Sequence, residues 1–93
     1  MNEQTAHMQI VRTAYAETIA YIGKPAGTWV GFAELREMAG LRPADFNAAI
    51  RALEQQPDVN IVPESNQKML RPQDREAAVV IGDQPKHVIA IGI

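Results

Sequence analysis

The chain contains no cysteine. That excludes disulfides, thiolate metal sites and a cysteine nucleophile, and it suits the reducing cytoplasm, where the protein is expected. Aromatic residues are scarce, with two Phe, two Tyr and one Trp. The core must therefore be built mostly from Ala, Ile, Leu and Val. No apolar run approaches the roughly 20 residues that span a bilayer, and no secretory signal pattern opens the chain, so no membrane partner is expected. Charge of one sign is lacking too. The net charge is −2, and no segment forms a basic tail or arm. Any positive patch must be assembled by folding.

Catalytic signatures are equally thin. Ser65 is the only serine and has no base near it in sequence. His7 and His87 lie far apart, without a spaced acid or cysteine partner for a metal, and each reads as a surface histidine. Gly23, Gly27 and Gly31 fit no phosphate-binding loop. Glu34 and Glu37 read as solvated charges. Nothing converges as a reaction centre must. The chain is not expected to be an enzyme, and no metal or cofactor is expected.

What is present is periodicity. At 93 residues the chain is one domain, residues 1–93. Met8, Val11, Tyr15, Ile19 and Ile22 share one face of a first helix, with Thr5 as its N-cap and Gly23 as its stop. Ile10, Ala14 and Tyr21 form a second apolar stripe nearly opposite. Either the later strands cover that stripe or a second copy of the chain does, which would make a homodimer. Thr28, Trp29 and Val30 suit a short edge strand. A short helix from Phe32 to Ala39 turns Phe32, Leu35, Met38 and Ala39 inward and closes at Gly40.

Leu41 and Arg42 make a turn, and Pro43 opens the next helix, where its missing N–H costs nothing. Phe46, Ala49, Ile50 and Leu53 form its inner face, and Pro57 limits it near Gln56. "DVNIVPE" alternates as a strand, and "SNQKML" is loop-like. "RPQDREAA" can form one or two helical turns. The β-rich runs "VVIG" and "HVIAIGI", joined by "DQPK", are expected to pair as a hairpin.

The helical hairpin around Gly40, with Leu35, Ala39, Leu41, Phe46 and Ala49 at the apolar offsets, resembles a winged helix-turn-helix domain. The resemblance covers roughly Trp29 to Ile91. It implies an α+β fold: a three-helix core with a C-terminal β-hairpin wing. Arg36 stands where that family usually has a small residue, and its side chain must reach outward. The stretch from Glu64 to Gly82 is also longer than a simple wing.

By this resemblance the helix from Pro43 to Gln56 would read double-stranded DNA, as part of a small dimeric transcriptional regulator. Its outward residues are Asp45, Asn47, Ala48, Arg51 and Gln55. Asn47 and Arg51 share a face and have the chemistry to pair with adenine and guanine edges. Arg42, beside the helix N-terminus, suits a phosphate. Lys68, Arg71, Arg75 and Lys86, with His87, fall in the expected wing and suit backbone contact.

The alternative is a winged-helix protein–protein interaction module within a larger complex. Three features favour it: the acidic charge, the acid at Asp45, and the apolar strand "HVIAIGI", whose edge could pair with another chain. A positive stripe joining Arg42, Arg51, Lys68 and Arg71 would favour DNA. A neutral or acidic face beside an apolar patch would favour protein.

Overall fold

The computed structural model describes residues 1–92. The first element, α1 (Glu3–Ile22), starts earlier than its periodicity suggests. Asn2, not Thr5, is the N-cap, and Asn2 Oδ1 accepts the Thr5 N–H at 2.7 Å. Val11 and Tyr15 of the expected face are buried, Met8 and Ile19 pack at its margins, and Ile22 is exposed at the end.

β1 (Val30–Gly31) leads directly into α2 (Phe32–Ala39). Phe32 and Leu35 enter the core, whereas Met38 remains exposed. Gly40 ends α2 at φ 69°, a left-handed conformation in which its lack of a Cβ removes the usual clash. α3 (Pro43–Leu53) follows with Arg42 as its extended N-cap residue, and it stops three residues short of Gln56. Phe46, Ala49, Ile50 and Leu53 are all fully buried. Phe32 and Phe46 meet edge to face with ring centroids 6.0 Å apart. α1 packs on both α2 and α3, so Tyr15, Phe32 and Phe46 sit within the core of the three-helix cluster.

β2 (Val59–Val62) alternates as expected, with Val59 and Ile61 inward. Residues 63–87 then leave the helical cluster. They hold a 3-10 turn (Gln67–Met69), the short α4 (Pro72–Glu76), β3 (Val79–Ile81) and β4 (Gln84–Lys86). β5 (Val88–Ile91) returns to the body.

The strands depart from expectation in two ways. First, β3 pairs with β4 and not with β5. Gly82 and Asp83 both have positive φ, 60° and 63°, which reverses the chain in two residues. The turn comes so soon that Gln84, Pro85 and Lys86 become the returning strand, with Pro85 opposite Val80. Second, β5 is the middle strand of a separate antiparallel sheet in the order β1-β5-β2. Its pairing is Val30 to Ile89 on one side and Ile61 to Ile89 on the other. The edge of "HVIAIGI" that was expected to be free for another chain is therefore occupied on both sides. The protein is thus α+β, with four α-helices, a three-stranded antiparallel sheet and a separate two-stranded hairpin among the described residues.

Candidate functional site

α3 is flanked unequally. On one side Arg51 donates from Nε to the Val80 carbonyl at 3.2 Å and ties the β3-β4 hairpin to the helix. On the other side the first turn of α3 faces the start of α1, where Asp45 lies beside His7 and Glu3. Between these flanks the surface consists of Ala44, Ala48, Arg51 and Gln55, all exposed. Two alanines here leave the helix backbone open to close approach.

The expected contact residues separate into distinct environments. Arg42 is almost fully solvated, and its Nε stands 3.8 Å from Asp45 Oδ2. Gln55 is exposed and donates to Glu54 at 2.7 Å. Asn47 does not share that exposure. It is half-buried, and its Oδ1 is enclosed without a hydrogen-bond partner among the described residues. Asn47 is one helical turn before Arg51 on α3, so it shares that side of the helix.

In the insertion, Lys68 is exposed on the 3-10 turn. Arg75 donates to the Gln67 carbonyl at 3.3 Å, and Lys86 donates to Gln84 Oε1 at 2.9 Å. None of these three, nor Arg51, has a carboxylate within ion-pair range among the described residues. Arg71 differs. It pairs with Asp74 at 2.8 Å and also with Glu34 on α2. Those partners, Asp74 foremost, raise the guanidinium pKa, and the Arg71 side chain holds the Asp74 carboxyl down at about 2. Arg71 therefore works as a clasp between α4 and α2 and is not a free phosphate contact. The four-residue positive stripe through Arg42, Arg51, Lys68 and Arg71 is broken at Arg71 and weakened at Arg42.

Two more arginines are spent on structure. Arg12 grips Asp58 with two bonds, at 2.7 and 3.0 Å, which raises the Arg12 pKa and lowers that of Asp58. Arg36 reaches outward, as its place in the helical hairpin requires, and pairs with Glu76 of α4.

The second stripe on α1 does not hold as one surface. Ile10 and Tyr21 are exposed, but Ala14 is 2% exposed and belongs to the core. Ala14 is small enough to let α1 close onto its neighbours, so an alanine that reads as part of an outer stripe lies inside. The pattern misleads for both histidines as well. His87 is buried, and its Nδ1 accepts the Glu64 N–H at 3.0 Å, fixing the start of the insertion to its end. His7 is half-buried, and Glu3, His7 and Asp45 bring one potential ligand atom each within 4.8 Å of one another. The i,i+4 spacing of Glu3 and His7 was a readable signal for two of its three members. Asp45 is distant in sequence and joins it only through the packing of α1 on α3.

No helix among the described residues is long and apolar enough to cross a membrane. No protein-family model, curated protein or solved structure matches the chain.

Proposed function

We propose that the chain is a winged-helix domain that binds duplex DNA, with α3 in the major groove and the 63–87 insertion against the backbone. The observation that carries this reading is topological. β5 lies between β1 and β2, with α2, a tight turn and α3 between the first two strands in sequence. A three-helix cluster with a sheet in that order supports the winged-helix reading, with residues 63–87 as an enlarged wing. Charge sorting adds support. Arg12, Arg36 and Arg71 are neutralised by carboxylates, while Arg51, Lys68, Arg75 and Lys86, on α3 and in the insertion, are left to meet phosphates. A small dimeric regulator remains the form we favour, with Ile10 and Tyr21 as the exposed part of the helix-1 surface.

The test is fluorescence anisotropy with random-sequence duplex DNA at about 50 mM and 200 mM salt. Affinity is expected to fall steeply with salt, because several phosphates are engaged. Absence of binding at low salt and high micromolar protein would sink the reading. Once a specific site is known, Arg51→Ala is expected to weaken binding to it by about 1–3 kcal/mol. Asn47→Ala is expected to leave affinity unchanged, since its carboxamide oxygen is enclosed. Equal losses from both variants would contradict this assignment of the α3 face.

A second reading, a protein-interaction module, draws on a different surface. Trp29 and Met69 are exposed and line one hollow with Leu70 and Val88. Exposed aromatic and Met side chains grouped in this way are typical of protein contacts. Substituting Trp29 would then abolish partner capture while leaving DNA binding intact.

A further inference from the structure

The start of α1 and the start of α3 form a second candidate site, independent of the DNA reading. We propose that Glu3, His7 and Asp45 bind a divalent transition-metal cation, with zinc the best fit. Glu3 and His7 are four residues apart on α1 and point from one helix face. His7 Nε2 lies 3.9 Å from Glu3 Oε1, and an Asp45 oxygen completes a triangle within 4.8 Å. Bonds of about 2.0–2.2 Å in a tetrahedral zinc site place ligand atoms about 3.3 Å apart. The three groups therefore need to close by up to about 1.5 Å, which side-chain rotations of Glu3, His7 and Asp45 together can supply.

Three further features fit a cation. Two carboxylates and a neutral imidazole carry two negative charges, which match a divalent ion. An imidazole beside carboxylates selects zinc or its neighbours over magnesium, which prefers oxygen ligands alone. The hollow above Ala48 and Ala49 holds about 230 Å³, room for the ion and the waters that complete its coordination.

The local electrostatics sets the strength. Glu3 and Asp45 sit in the first turns of their helices, where the helix dipole favours a negative side chain. The same dipoles oppose the cation itself. Arg42 also competes for Asp45 at 3.8 Å, although its side chain is 90% exposed and free to swing away. Three ligands against these costs place the site in the micromolar range, weaker than a structural four-ligand zinc. Occupancy would fasten the first turn of α1 to α3.

The test uses the full chain, stripped with chelator and titrated with zinc chloride by calorimetry. One-to-one micromolar binding is expected. His7→Gln and Asp45→Asn should each weaken it by about tenfold or more. With free zinc at about 100 times its Kd, the unfolding midpoint of the parent protein should rise by roughly 10 °C or more, and that of His7→Gln should not. Zinc should also shift the His7 imidazole resonances of the unmodified chain, a readout that needs no variant to fold. Absence of binding in the parent protein, or affinity unchanged in both variants, overturns the site. So does binding that leaves the His7 resonances in place.

Discussion

Residues 3–62 and the insertion 63–87 are enclosed by different forces. In the first region the helices and β2 supply nearly all the buried apolar side chains, from Val11 to Ile61. In the second, only Ala77 and Val79 enter the core, with Ile81 at its margin. The rest of the insertion is held by polar contacts: Arg36 to Glu76, Arg71 to Glu34 and Asp74, Arg51 to the Val80 carbonyl, and His87 to the Glu64 amide. Exposed ion pairs contribute little stability individually. The insertion is therefore positioned by many weak contacts on a body stabilised by burial. Such a segment can adjust on meeting a ligand without unfolding the body beneath it.

The largest effect should come from breaking the body. Phe46 is fully buried and touches Phe32 edge to face. Phe46→Ala is expected to destabilise the protein by about 3–5 kcal/mol, read from urea unfolding. A loss under about 1 kcal/mol would mean that the three-helix cluster is not the centre of stability.

A neighbouring pair in the insertion sharpens the contrast. Val79 is 0% exposed and Val80 is 51% exposed, on opposite faces of one strand. Val79→Ala is expected to cost about 2 kcal/mol and Val80→Ala less than about 0.5 kcal/mol. Equal costs would place the hairpin in a different register from the one that pairs Val79 with Lys86.

The same division marks what the sequence disclosed. α1, α2 and α3 were legible because burial writes a helical period into the chain, and Gly23, Gly40 and Pro57 punctuate it. β2 was legible from its alternation. The hairpin partner was not. "QPK" has no strand propensity, and it pairs because the Gly82–Asp83 turn leaves it opposite β3. A Gly-Asp pair after a β-rich run was the available signal.

Ala14 was misplaced because alanine occurs on surfaces and at close helix contacts alike. Of the candidate site, the exposure of Arg42, Arg51 and Gln55 followed from the helix period. The enclosure of Asn47, the ion pairs of Arg71 and the meeting of Asp45 with His7 depend on contacts between distant segments, which periodicity does not encode.

The smallest expected effect tests whether the clasp on the insertion matters at all. Asp74 accepts the Arg71 backbone N–H and its Nε–H, both at 2.9 Å, and an Nη2–H at 2.8 Å. These bonds lower its pKa from an ordinary 3.8 to about 2, so the folded protein binds this proton less readily than the unfolded chain does. The contribution of Asp74 to stability is therefore complete above about pH 4 and is lost as pH falls toward 2. Asp74→Asn removes that dependence. The urea midpoint of the parent protein should fall more steeply than that of the variant between about pH 4 and 2, while above that window the variant is slightly the weaker of the two. Asp58, held down by Arg12 in both proteins, leaves a shared slope, so the difference between the curves isolates Asp74. Parallel curves would mean that the Arg71–Asp74 pair is not held in solution. The placement of α4 would then rest on Ala77 and Val79 and on the remaining bridge from Arg36 to Glu76.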